Sequence, residues 1–128
     1  MPRSGSIKPW EADGAWLDKH GIDRGRVNIG LPYYAFNTTR AGKIVGEPTW
    51  GSLSLLCPNA APDQAVCAGI AFCGKRQNLE IGQWIKSQGW RGAFPWAANY
   101  DAAAKNDSLL AWLGRGLLLN LTRRGMLL

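Results

Sequence analysis

Two apolar, proline-bearing runs, at 26–36 and 92–100, constrain this chain more than any other feature of its sequence. The first reads Arg26-Val27-Asn28-Ile29-Gly30-Leu31-Pro32-Tyr33-Tyr34-Ala35-Phe36, and its β-branched and aromatic content predicts a strand. Pro32 has no N–H to give a ladder, so the regular strand should stop near Leu31 and leave the aromatic residues at its C-terminal exit. The second, Gly92-Ala93-Phe94-Pro95-Trp96-Ala97-Ala98-Asn99-Tyr100, is bounded by turn signals and reads as a buried strand. Between them lie a long loop region, 37–68, and a helix over Asn78–Gln88 with an apolar stripe of Leu79, Ile81, Trp84 and Ile85, stopped by Gly89. Strand, helix, strand predicts a βαβ unit with parallel strands buried on both faces. A right-handed crossover puts both strand C-termini on one edge. Ligands of α/β proteins bind at that edge, which singles out Tyr33, Tyr34 and the stretch from Trp96 to Tyr100.

The flanking sequence adds shorter elements. Residues 1–10 carry Pro, Gly and Ser and read as an irregular lead-in, followed by a helix from about Ala12 to His20 with Gly21 as its stop. Trp16 is the expected core anchor of that helix, and His20 falls at its C-terminus, where a cation interacts well with the dipole. A short helix over Trp50–Leu56 and a brief strand over Ala68–Cys73 fit inside the loop region. Ser108 caps a final helix containing Leu109, Leu110, Trp112 and Leu113. The expected organisation is a lead-in over 1–10, one domain over 11–116 and a Leu-rich tail over 117–128. Trp84 and Trp90 read as packing residues; Trp50 either packs or extends a cleft from the loop.

With 128 residues the chain suits one domain, and a complete (β/α)8 barrel of roughly 250 residues is excluded. Fifteen Lys and Arg against nine Asp and Glu leave +6. The basic residues are scattered, with only Lys75-Arg76 and Arg123-Arg124 adjacent, so nucleic-acid binding is disfavoured. No run of eighteen apolar residues offers a transmembrane segment, and the polar start resembles no signal peptide. Asn37, Asn106 and Asn120 begin Asn-x-Ser/Thr sequons, which leaves the compartment open. Cys57, Cys67 and Cys73 allow at most one internal disulfide. Either Cys57 and Cys67 pair across the turn-rich loop between them, or all three are reduced, partly buried thiols. No Cys-x-x-Cys occurs and His20 is the single histidine, so no metal site and no cofactor are expected.

The two runs resemble something specific. Arg26–Ala35 is similar to the seventh barrel strand of family-18 glycoside hydrolases, the chitinases, which often reads Lys-x-x-x-Gly-Ile/Leu-Pro-Phe/Tyr-Tyr-Gly. Arg91-Gly-Ala-Phe-Pro-Trp-Ala-Ala-Asn-Tyr-Asp101 resembles the eighth, commonly Gly-Gly-x-x-x-Trp-x-x-x-Tyr-Asp. The resemblance runs from about Asp13 to Trp112. It implies an α/β fold that is a partial (β/α)8 TIM barrel, about its last quarter, made of strands seven and eight with flanking helices. It also implies a ligand, chitin or an N-acetylglucosamine oligosaccharide. Trp96 would be the floor on which the sugar stacks, with Tyr33, Tyr34, Asn99 and Tyr100 as further binding residues. Phe36 stands where the family often has Arg, and Asn99 where it commonly has Asp.

The family's catalytic signature, Asp-x-x-Asp-x-Asp-x-Glu with Glu as proton donor, is absent from this chain, as is the sixth-strand Met-x-Tyr-Asp. No catalytic residue is therefore expected here. Hydrolysis would need the rest of the barrel from a longer precursor or a second chain. Two other functions remain in view: a non-catalytic chitin-binding module, and a basic interaction protein unrelated to sugars. Open sheet edges predict self-association of the isolated chain, or partial disorder over 1–10, 38–66 and 117–128.

Overall fold

The computed structural model describes residues 7–125, and their side chains as far as 118. The element order is α1 (Lys8–Lys19), β1 (Asn28–Pro32), β2 (Asn37–Thr38), β3 (Ile44–Gly46), α2 (Trp50–Leu56), β4 (Val66–Cys67), β5 (Ile70–Ala71), α3 (Lys75–Ser87), β6 (Gly92–Trp96) and α4 (Leu109–Gly125), with single 3-10 turns at Arg24–Arg26, Ala98–Tyr100 and Lys105–Asp107. This is an α/β chain. Its described strands form three two-stranded sheets and no closed sheet.

The central pair is β1 and β6, parallel, in register from Asn28 opposite Gly92 to Pro32 opposite Trp96. The ladder continues one residue further, where the Tyr33 N–H donates to the Trp96 carbonyl at 3.0 Å. Backbone polarity alternates along a strand, so the donor that Pro32 lacks would point to the unpaired edge of β1, and the strand tolerates it. The strand accordingly includes Pro32 rather than ending at Leu31.

Alternation sorts the two faces. Ile29, Leu31, Tyr33 and Ala35 point into one core with Ile81 and Ile85 of α3, Leu109 and Leu113 of α4, and Trp50 and Leu53 of α2. The opposite face is bare. Phe94 and Trp96 are exposed there, and Gly30 lies under the Phe94 ring, where a Cβ would sit 2.9 Å from Phe94 Cζ. The expectation of strands buried on both faces therefore fails, because among the described residues nothing covers Phe94 and Trp96.

Helix boundaries depart from expectation for local reasons. Pro9 is tolerated in a first turn, so α1 starts at Lys8 and absorbs the end of the supposed lead-in; residues 1–6 lie outside the described part. Trp10, Gly14 and Leu17 face inward, while Trp16 is 55% exposed and stacks on His20 at 4.1 Å instead of anchoring the core. His20 ends α1, as its place before Gly21 suggests. In α3 the Gly74 N–H donates to Gln77 Oε1 at 2.9 Å, which starts the helix at Lys75, ahead of Asn78. α4 continues through the Leu-rich segment after Gly116 to Gly125, and residues 126–128 lie outside the described part.

The 37–68 region is structured in pieces. β2 and β3 pair antiparallel, α2 has Thr49 as its cap, and β4 pairs with β5 as a second hairpin in place of one strand over Ala68–Cys73. Cys57 and Cys67 form a disulfide, leaving Cys73 free. Trp50 is core and not cleft: it is 2% exposed, lies against Phe72 at 4.6 Å, and its indole N–H donates to the Asp107 carbonyl at 2.6 Å.

Candidate functional site

The site is assembled where the chain leaves β1 and β6. Trp96 ends β6 directly across from Pro32, the Trp96–Ala97 peptide is cis, and the Trp96 side chain is 64% exposed. Past β1, Tyr34 forms an isolated antiparallel bridge with Thr49, and the Ala35 N–H donates to the Pro48 carbonyl at 2.9 Å. The Trp50 N–H then donates to the Tyr33 carbonyl at 2.8 Å. These bonds fold the 47–50 segment back across the exit of β1 and bring Glu47 and Thr49 beside Tyr34. Tyr100, from the turn after β6, meets Tyr34 edge-on at 6.5 Å, and Phe36 meets Tyr34 edge-on at 5.7 Å. Together Tyr34, Glu47, Thr49, Trp96 and Tyr100 line an open pocket of about 200 Å³.

Three of the residues singled out from sequence thus meet in one place: Trp96, Tyr34 and Tyr100. Two do not join them. Tyr33 points into the core, 1% exposed, because it follows the inward phase of Ile29 and Leu31. Its hydroxyl finds no hydrogen-bond partner among the described residues. Burial, with Asp101 and Cys73 adding to it, pushes the phenol well above its ordinary range and keeps it neutral. Asn99 is exposed on the turn after β6 and lines no part of this pocket.

Sequence reasoning missed Glu47. It sits in a Gly-Glu-Pro stretch of a loop, and nothing in its neighbours' pattern marks it; only the Tyr34–Thr49 bridge carries it to the site. It is exposed and belongs to neither ion pair formed among the described residues, Arg24–Asp18 or Lys75–Asp107.

The other nearby carboxylate, Asp101, is occupied. Its Oδ1 accepts from the Ala102 N–H at 2.9 Å and the Leu109 N–H at 2.8 Å. Its Oδ2 accepts from the Ser108 hydroxyl at 2.7 Å and the Leu110 N–H at 3.2 Å. Asp101 thereby caps α4 together with Ser108, whose hydroxyl accepts from the Ala111 N–H at 3.2 Å. Among the described residues no cluster of His, Cys, Asp or Glu could hold a metal ion. No helix of the described residues is long and apolar enough to cross a membrane.

The pocket presents an exposed indole flanked by phenols, a threonine and a carboxylate, a surface on which apolar C–H groups could pack with hydrogen-bonding groups at its margin.

Two solved structures are similar to this chain in fold. A chitinase from Bacteroides thetaiotaomicron is similar with a TM-score of 0.70 and 16% identity, over 88% of this chain and 39% of that one. The GH18 chitinase ChiB from the chitin utilization locus of Flavobacterium johnsoniae is similar with a TM-score of 0.65 and 21% identity, over 80% of this chain and 32% of that one. At these identities the likeness shows the fold alone, an α/β arrangement similar to part of each of those two structures; this chain spans 39% and 32% of their lengths. No protein-family model matches the sequence, and no curated protein does.

Proposed function

We propose that this chain is the C-terminal portion of a family-18, chitinase-like barrel, contributing strands seven and eight and the sugar-stacking floor but no catalytic acid. The observation that carries the proposal is the exposed Trp96 ring at the C-terminal end of β6, in one pocket with Tyr34 and Tyr100. The bare face under Phe94 and the unpaired edges of β1 and β6 support it, since these are the surfaces a barrel interior and two neighbouring strands would cover. On this reading the ligand is chitin or an N-acetylglucosamine oligosaccharide, and the partner is the rest of the barrel, in a longer precursor or a second chain. The same edges are where copies of the isolated chain would associate.

Retention on chitin beads tests the binding half: the wild-type chain binds and Trp96→Ala washes off. Equal retention of both overturns the sugar platform. Release of product from a fluorogenic chitooligosaccharide above the buffer rate would overturn the absence of a catalytic acid, because protonation of the leaving oxygen needs one.

A second reading, a non-catalytic chitin-binding module, is supported by Tyr34, Trp96 and Tyr100 lining one pocket in a chain that carries no catalytic acid motif. Binding that needs no other part of a barrel separates it from the first.

A further inference from the structure

We propose that one internal water is a built-in part of this fold, seated in the small cavity that Tyr33 and Cys73 share, where it accepts a hydrogen bond from the Tyr33 hydroxyl and donates one to Asn78 Oδ1. The proposal goes beyond the sugar reading and does not depend on it.

The argument begins with two unmatched polar atoms. Tyr33 and Asn78 are each 1% exposed, and neither the Tyr33 hydroxyl nor Asn78 Oδ1 has a hydrogen-bond partner among the described residues. Leaving a buried group of this kind dry is destabilising, and native chains seldom do so. Turning the Asn78 amide over gives no relief. Its Nδ2 donates to the Gly74 carbonyl at 2.9 Å and the Cys73 carbonyl at 3.3 Å, both acceptors, so the oxygen end is the one left over.

Both groups converge on Cys73. Asn78 Nδ2 lies 3.6 Å from Cys73 Sγ. Cys73 in turn lines one cavity with Tyr33, walled by Trp50, Leu53, Phe72 and Leu109. Among those four walls the one polar side-chain group, the Trp50 indole N–H, is spent on the Asp107 carbonyl. The cavity measures about 10 Å³, room for one water and for no larger ligand. Tyr34 lines both this cavity and the Trp96 pocket, so the water sits next to the candidate site.

The signs of the groups select the occupant. The phenol is a donor and the amide oxygen an acceptor, and a water serves both at once. Burial keeps the proton on the phenol and pushes the Cys73 thiol up to about 12, so the thiol offers the water a third, weak donor. Two to four such partners hold a buried water. A metal cation is disfavoured, since no carboxylate lines the cavity; Asp101, which acts on the phenol from nearby, spends both oxygens on the cap of α4.

An atomic-resolution crystal structure of the full chain, beside that of Tyr33→Phe, tests this. In the wild type a water peak is expected within about 3.2 Å of both Tyr33 Oη and Asn78 Oδ1. Tyr33→Phe removes only the hydroxyl; its crystal should lose the peak and its urea midpoint should fall. Removing a dry hydroxyl would raise the midpoint instead, because the penalty of burying it unpaired goes with it. The absence of a wild-type peak, a peak touching only one of the two groups, or a direct bond between Tyr33 and Asn78 overturns the proposal. So does a peak that persists in Tyr33→Phe, or a variant midpoint equal to or above that of the wild type.

Discussion

Lys75 Nζ lies 2.9 Å from Asp107 Oδ1, and both side chains are almost wholly buried, 6% and 5% exposed. The pair is a junction of four segments. Lys75, at the start of α3, also donates to the Ala60 carbonyl at 2.7 Å. Asp107 Oδ2 accepts from the Asn59 N–H at 3.1 Å, and the Asp107 carbonyl accepts from the Trp50 indole at 2.6 Å. The two loops that flank the α3–α4 layer are thereby tied to α2, whose cap residue Thr49 lies beside Tyr34 in the pocket. Stability of the scaffold and geometry of the site share one hinge of charge.

Removing one partner strands the other charge in the core, so Asp107→Asn should destabilise the chain by about 3–5 kcal/mol in a urea titration. The pH dependence has a definite sign. Burial by itself would raise the Asp107 pKa, but the Lys75 ammonium and the Asn59 and Ala60 amides outweigh it and hold the carboxyl below its ordinary value. A carboxyl depressed by folding contributes fully above its unfolded value of about 3.9 and loses that contribution as pH falls through the lower folded value. Wild-type Tm should therefore drop between about pH 5 and pH 2 more steeply than that of Asp107→Asn. Parallel acid limbs in the two proteins would refute the assignment.

The cysteines make a second prediction. Cys57 and Cys67 close a loop ten residues apart, a cross-link that stabilises by about 2–3 kcal/mol through the unfolded state. Cys73 is the free thiol, and burial pushes its pKa up to about 12, which leaves almost no thiolate to react. Under native, non-reducing conditions a thiol reagent should label the chain slowly. In denaturant one thiol per chain should react at once, and three after reduction. Rapid native labelling would mean that Cys73 is not enclosed as described.

The sequence carried the βαβ frame because its signals are local. The β-branched run at Val27–Leu31, the period of Ile81 and Ile85, and the stop at Gly89 each act within a turn or two. Inward and outward phases were another matter. Tyr33 and Tyr34 are adjacent and chemically alike, and which one faces solvent depends on which face of β1 meets α3 and α4, a tertiary fact. Trp16 was read as an anchor from Ala15, Trp16 and Lys19 lying within one turn; which face of α1 docks is set by what it packs against, and that face carries Trp10, Gly14 and Leu17. Glu47 was illegible for a different reason: its place is set by the long-range bridge between Tyr34 and Thr49, not by its own neighbours. The pairing of Trp96 with Tyr34 and Tyr100 was accessible, since a parallel crossover already brings both strand exits to one edge.

Glycines on the packed helices give the last prediction, because the same substitution should have opposite signs at Gly82 of α3 and Gly114 of α4. Gly82 of α3 faces α4 so closely that a Cβ would sit 2.6 Å from the Leu113 carbonyl oxygen and 3.0 Å from the Leu117 nitrogen. Gly116 returns the contact, its added Cβ running into the Leu79 carbonyl. Gly114, on the same helix as Gly116, has nothing within 4 Å of its Cβ position. In an unobstructed helix, alanine is favoured over glycine by about 0.8–1.0 kcal/mol. Gly114→Ala should therefore stabilise the chain by up to about 1 kcal/mol. At Gly82 the same propensity gain meets backbone atoms that cannot step aside without parting the helices, at an overpacking cost of about 1–3 kcal/mol or more. Gly82→Ala should lower the urea midpoint while Gly114→Ala raises it. A midpoint that rises in both variants would show that α3 and α4 do not meet backbone to backbone, and the layer that holds Ile29, Leu31 and Tyr33 in place would have to be drawn differently.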